Sequence, residues 1–304
     1  MAELPRNAAE GLLARLDLAV PGRVEGFYVV GSASMGAFRP GRSDVDFVAI
    51  VDGDFRPAEL RSLRALHVGR WTSALIHDTA LRRRWPLVCN GIYLKAGDLA
   101  RSPLEVSPLA GHATGRFRVA TGEGFDINPV TWYTLAHYGV ALRGPDRDRL
   151  EVHTDDSELR AWTLANLNSY WRRWISRGRP AGLSIRAVPP RRLAASGVLG
   201  APRLHHTIAT GEVATKQAAA HYALDVFEPR WHTLIEEAVA YWRGEPPREP
   251  YRRHPHRRHR DAVEFVAYVI DAANRLYAQQ HSAYSGAKGW RGRRTAAPGS
   301  QPEG

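Results

Sequence analysis

Apolar residues follow two regimes along this chain. Up to about residue 150 they form short runs broken by glycine and turn residues; beyond it they recur at helical spacing. Residues 7–18 set Leu12, Leu13 and Leu16 on one side and predict a helix. The runs 24–30 and 47–51 are short enough for buried strands. Residues 57–66 predict a helix opened by proline in its first turn. Residues 71–76, 87–94 and 117–120 predict further strands, and 130–140 a helix. The expected product is a small mixed sheet with helices packed on one face.

The second regime predicts one long helix over 158–176, capped by Asp155-Asp156-Ser157, with Leu159, Trp162, Leu167, Tyr170 and Trp174 apolar. Further helices are predicted over 189–199, 202–210, 214–226 and 229–242, which together make an all-helical bundle. Residues 244–260 read as a proline- and arginine-rich linker, 261–280 as a last helix and 281–304 as a disordered tail. The fold class is therefore α+β. The expected divisions are a sheet domain at 1–150, a helical domain at 151–243, and a linker, helix and tail at 244–304.

Candidate chemistry sits between the first two strands. Gly31-Ser32 falls where the first strand gives way to a short helix, and Ser43-Asp44-Val45-Asp46 opens the second. Residues two apart on a strand point to the same side, so Asp44 and Asp46 project in parallel. Parallel carboxylates repel unless a cation lies between them, and oxygen ligands of this kind suit Mg²⁺, which keeps substrate phosphates in its shell. A helix start at Gly31-Ser32 offers free N–H groups to a phosphate. The plain alternative is a polar hairpin whose aspartates only keep an edge strand soluble.

The series Gly31-Ser32-Ala33-Ser34-Met35-Gly36 and Ser43-Asp44-Val45-Asp46 resembles the polymerase-β-like nucleotidyltransferases. Trp132-x-x-Leu135, running into Gly139-Val140-Ala141-Leu142-Arg143-Gly144-Pro145, is similar to the end of the catalytic domain in aminoglycoside adenylyltransferases of the streptomycin/spectinomycin type. Residues 203–216, RLHHTIATGEVATK, resemble the helical domain of those enzymes. The resemblance implies Asp44 and Asp46 on Mg²⁺, with Gly31, Ser32 and Ser43 on the nucleotide. It also implies that Arg203 and Lys216 neutralise phosphate charge from the helical domain. Such enzymes usually carry a third carboxylate on a neighbouring strand, and the matching position here is Asn90, which cannot take a proton. His77, Asp78 and Asp126 are the other candidates for the base, each also readable as a strand end or helix start.

Charge adds one feature. The net charge is +11, of which residues 243–304 hold +6, from twelve Arg/Lys against six Asp/Glu. The stretch 252–260 has five Arg and three His, a pattern open to RNA or anionic lipid but equally to a solvated tether. Lysine occurs only at 95, 216 and 288, which singles out Lys216. One cysteine, Cys89, fits a reducing, cytoplasmic setting, and no apolar run is long enough to span a membrane. His205-His206 lacks further ligands at metal spacing and reads as core or cap. Trp162, Trp171 and Trp174 fit either an acceptor cleft or plain core.

The expected activity is transfer of AMP from ATP to a hydroxyl of a small molecule, with pyrophosphate leaving. An aminoglycoside-like polycation would call for an acidic pocket, for which Glu123, Asp126, Asp155, Asp156 and Glu158 are available. A nucleotidyltransferase acting on protein or RNA, and a catalytically weak nucleotide binder, are the alternatives.

Overall fold

The computed structural model describes residues 1–77, 87–119, 127–178 and 191–291. Six strands form one sheet: β1 (Val24–Val30), β2 (Val45–Val51), β3 (Cys89–Leu94), β4 (Ala110–Ala113), β5 (Arg116–Val119) and β6 (Val140–Arg143). Their order is β5-β4-β3-β2-β1-β6, mixed because β2 and β3 run parallel while the other pairs are antiparallel. Strand β2 is apolar almost throughout, the pattern of a strand buried on both sides. Its Val45, Phe47, Ala49 and Val51 meet the Leu12–Leu16 face of α1 (Glu3–Ala19) and Leu63 of α3 (Pro57–Ala74). Its Val48 and Ile50 meet Trp132 and Leu135 of α4 (Pro129–Tyr138) on the opposite side. Helices thus cover both faces, not one.

One further expectation needs correction, and two strands escaped the sequence reading. Residues 71–76 are not a strand, because Trp71–Ala74 closes α3. Buried Leu63 and His67 continue the helical spacing towards Trp71, which outweighs the aromatic, β-branched look of the segment. Strand β4 is Ala-Gly-His-Ala, a composition with no strand signal of its own; it exists because β3 supplies a ladder edge. Strand β6 follows α4 after a single glycine and pairs with β1. Ala120 and residues 189–190 lie outside the described residues.

The second half is helical: α5 (Asp156–Asn166), α6 (Arg172–Gly178), α7 (Arg191–Thr210), α8 (Lys216–Val226), α9 (His232–Arg243) and α10 (Pro255–Arg291). The predicted 158–176 helix is interrupted by a π turn at Leu167–Trp171. The two helices predicted at 189–199 and 202–210 are one, since α7 runs through a buried Pro202. Helix α10 shares a single apolar core with α7 and α9, built on Leu199, Ile208, Ile235, Phe265, Val266 and Ile270. It continues to Arg291, past the start of the predicted tail; residues 292–304 lie outside the described residues. Among the described residues no helix is long and apolar enough to cross a membrane.

The 244–260 stretch is anchored to the bundle. Tyr251 is buried and donates its hydroxyl to Asp261. Glu237, 1% exposed, accepts from the guanidinium groups of Arg191 and Arg258 and from the backbone N–H of Arg248. Arg252 and Arg253 pair with Glu249, and Arg257 and Arg260 pair with Asp261. The basic cluster is therefore matched by acids of the same region. Removing the buried hub leaves the buried Arg258 without its carboxylate and the Arg248 N–H without its acceptor, so Glu237→Ala is expected to lower unfolding stability by about 3–5 kcal/mol. Urea denaturation checks this, and a loss below about 1 kcal/mol would contradict the hub role.

Candidate active site

At the end of β1 the chain turns sharply at Gly31 into a single helical turn, α2 (Gly31–Ser34). Gly31 has φ +65°, and a Cβ there would lie 2.6 Å from Oδ2 of Asp46. Glycine is required because the Asp46 carboxylate nests against this turn, opposite Val30 in the antiparallel register. One turn is too short for a sizeable helix dipole. A phosphate here would depend on individual N–H groups and the Ser32 hydroxyl. Ser43 holds the approach to the carboxylates: its Oγ accepts from Arg39 N–H at 3.1 Å, and its own N–H donates back to the Arg39 carbonyl.

Asn90 lies level with Asp46 on the adjoining parallel strand. Its Nδ2 donates to Oδ2 of Asp44 at 2.9 Å, and its Oδ1 accepts from the Thr114 N–H at 3.1 Å. Thr114 stands at the tip of the β4–β5 hairpin in a left-handed conformation, φ 46°. A backbone N–H only donates, so it fixes which end of the amide faces Asp44. The carbonyl oxygen, the atom through which an asparagine can ligate a cation, is turned away, and residue 90 presents N–H groups to Asp44 instead. Asn90 therefore positions Asp44. Next to it, Gly91 lets β3 lie against β2, since a Cβ would run into the Phe47 carbonyl.

Exchange of this amide has a specific expected outcome. Asn90→Asp sets a third carboxylate against Asp44, so the metal-free protein should melt lower than wild type, and Mg²⁺ should close most of the gap. Asn90→Ala should show no such Mg²⁺ rescue. Melting curves with and without Mg²⁺ check this; equal Mg²⁺ responses in both variants would contradict the contact.

Across a cleft of about 380 Å³ the carboxylates face basic side chains from both halves of the molecule. The cleft brings together Gly31, Ser32, Ser43, Asp44 and Asp46 with Arg203 and Lys216. It adds Arg42 and Arg192, which sequence reasoning missed. Arg42 directly precedes the Ser-Asp-x-Asp series, a local signal that was available; Arg192 had none beyond a helix start. The Arg42 guanidinium lies 4.0 Å from the Tyr241 ring centre and donates to its hydroxyl at 3.1 Å, joining the two halves. Arg203 is fixed by donation from Nε to the Ala214 carbonyl at 2.8 Å. Burial pulls its pKa down, and the Asp46 charge acts the other way. Lys216 follows the Thr215 cap of α8, its ammonium 4.1 Å from the Trp242 ring centre. Burial first, then the Arg203 charge, lower its pKa to about 8, against the pull of Asp44 and Asp46.

A lysine depressed to about 8 is partly neutral at mild alkaline pH. The unfolded chain binds its proton up to about pH 10.4, so this group makes stability rise with pH between about 8 and 10. A polyanion in the cleft reverses the shift and draws a proton in. ATP binding near pH 8 is therefore expected to take up a proton in wild type and not in Lys216→Met. Calorimetry in buffers of different ionisation enthalpy checks this; equal uptake in both proteins would contradict it.

Other candidates fall elsewhere. Asp155, Asp156 and Glu158 line a separate pocket of about 90 Å³ with Tyr133 and His137. It lies on the other side of α4, whose Val130, Thr131 and Thr134 line the cleft. Asp155 caps α5, and Glu158 accepts from Ser102. His77 lines a third pocket with Cys89 and His112, on the α1/α3 side of the sheet. Asp78, Glu123 and Asp126 lie outside the described residues. Trp162 lines the cleft, whereas Trp171 is buried in the bundle core. His205 is buried and bonded to the Tyr222 hydroxyl at 2.7 Å. Among the described residues no group of three or more His, Cys, Asp or Glu is placed to hold a metal, so a cation would rely on two carboxylates and its substrate.

This architecture, a mixed sheet followed by a helical half, has a counterpart among solved structures. Spectinomycin adenyltransferase AAD(9) from Enterococcus faecialis, solved with ATP and spectinomycin, shares it with a TM-score of 0.57 at 12% identity, over 86% of this chain and 99% of that one. Residues 193–272 match the family described as aminoglycoside adenylyltransferase, C-terminal domain. The matched span runs from α7 into α10 and includes Arg203 and Lys216. No curated protein sequence matches the chain.

Proposed function

We propose that the protein transfers AMP from ATP to a hydroxyl group of a small molecule and releases pyrophosphate. The observation that carries this is the facing of Asp44 and Asp46, beside the Gly31-Ser32 turn, by Arg42, Arg192, Arg203 and Lys216 across one cleft. A triphosphate brings about four negative charges, which the basic wall matches and which one divalent cation alone does not. Asp44 and Asp46 suit Mg²⁺, because a two-carboxylate site leaves room for water and phosphate oxygens. When bound, the ion would neutralise charge on the phosphate oxygens and the departing pyrophosphate.

The residues of the chain then have separate tasks. Ser32 and the backbone of the turn hold the phosphates near the carboxylates. Arg203 and Lys216 hold the negative charge that grows on the leaving group. Asn90 keeps Asp44 in place through its amide. The acceptor oxygen forms a bond to the α-phosphorus as the bond to pyrophosphate breaks, and the hydroxyl proton leaves by a group other than residue 90. The matched helical-domain family and the shared fold support adenylyl transfer as the reaction class.

Asp44→Asn and Asp46→Asn are each expected to lower pyrophosphate release by about 10²-fold or more, since lost stabilisation of a few kcal/mol converts at tenfold per ~1.4 kcal/mol. Both should melt at or slightly above wild type, because a repelling carboxylate is removed. Pyrophosphate release and thermal melts check this together. Near-normal turnover in either variant would contradict the assignment.

A further inference from the structure

The four cations that line the cleft come from three places: Arg42 from the turn before β2, Arg192 and Arg203 from α7, and Lys216 from the start of α8. Like charges gathered in this way push apart until an anion arrives. The effect shows at Arg192, whose pKa burial lowers and the Arg42 charge lowers further. Each cation therefore needs a support that leaves its charge intact. For Arg42 the support is Tyr241, near the end of α9, which is 9% exposed and is not among the residues that line the cleft. The Arg42 guanidinium lies 4.0 Å from the ring centre and donates to the hydroxyl at 3.1 Å. A carboxylate in that place would cancel the charge a phosphate requires, whereas a neutral ring and hydroxyl hold the cation without doing so. The ring is itself backed by the buried hub. The Arg191 guanidinium lies 5.5 Å from its centre and donates to Glu237 at 2.7 Å, and Glu237 also holds Arg258 and the Arg248 N–H. From the same turn, Arg39 donates to Gln217 of α8 at 3.4 Å, an exposed and weaker link.

We propose that Tyr241 is a positioning residue of the nucleotide site: it fixes Arg42 in the cleft so that the guanidinium meets the triphosphate, and it ties the turn before β2 to the helical half. Tyr241 touches no phosphate and acts through Arg42 alone. Arg42 directly precedes Ser43-Asp44, so one contact sets both the cation and the approach to the carboxylates. Without the ring, repulsion from Arg192, Arg203 and Lys216 turns Arg42 towards solvent, and the nucleotide must draw it back at a cost in affinity. This inference rests on the adenylyl-transfer reading, because it requires a nucleotide in the cleft.

A double-mutant cycle tests it, with calorimetry of a non-hydrolysable ATP analogue in Mg²⁺ as the readout. Arg42→Met is expected to weaken the analogue at least about tenfold, the scale of one charge-assisted contact. Tyr241→Leu should weaken it about fivefold to tenfold, and Tyr241→Phe, which keeps the ring and loses the hydroxyl, about threefold. In the Arg42→Met background neither Tyr241 substitution should weaken binding further. A role in packing alone would give the same loss in both backgrounds. Tyr241→Phe preserves the buried ring, so its cycle decides the matter even where Tyr241→Leu fails to fold. Equal weakening with and without Arg42, or unaltered affinity in any folded single variant, would overturn the positioning role while leaving the adenylyl-transfer reading standing. No analogue binding by the wild-type protein would overturn both.

Discussion

Two carboxylates two residues apart, Asp44 just before β2 and Asp46 within it against the Gly31 turn, set the constraint on which the rest depends. Asp44 and Asp46 carry like charges two residues apart, which raises the cost of holding them together. Strand β2, apolar and buried on both faces, holds Asp46, and Asp44 directly precedes it. Gly31 makes room for one carboxylate, and the Asn90 amide holds the other. The opposing charge comes from Arg42 and from side chains on the helical half that line the same cleft. Such an arrangement favours a ligand that carries a cation and several anionic groups at once.

Helix α7 transmits this requirement to the second half. It places Arg192 near its start and Arg203 further along, and its core contacts run to α8, α9 and α10. The Glu237 hub fixes the 244–260 segment to the same body through Arg191, the residue next to Arg192. A basic wall of mutually repelling side chains needs a rigid backing. The apolar core shared by α7, α9 and α10 provides it.

What could be read from sequence follows the range of the interactions involved. The Gly-Ser turn and the carboxylate pair were legible because strand alternation and turn chemistry act within a few residues. Lys216 stood out through the rarity of lysine. Asn90 was found through the family resemblance, but the direction of its amide was not legible, because Thr114 sets it from a hairpin that carried no strand signal. Arg42 went unread although it directly precedes the Ser-Asp-x-Asp series; only its contact with Tyr241, 199 residues away, had no local trace. Segment 71–76 was misread because aromatic and β-branched residues also suit the last turn of a packed helix. The 244–260 segment looked like a tether because its anchors, Tyr251 and Arg258, are buried only by helices from other parts of the chain.

The most direct test of the central claim is anomalous diffraction from the protein with Mn²⁺ and a non-hydrolysable ATP analogue. The account predicts a metal peak shared by the Asp44 and Asp46 carboxylates. It also predicts a triphosphate running from the Gly31-Ser32 turn towards Arg203 and Lys216. A nucleotide bound outside this cleft, or one in it with no metal at the two aspartates, would contradict it.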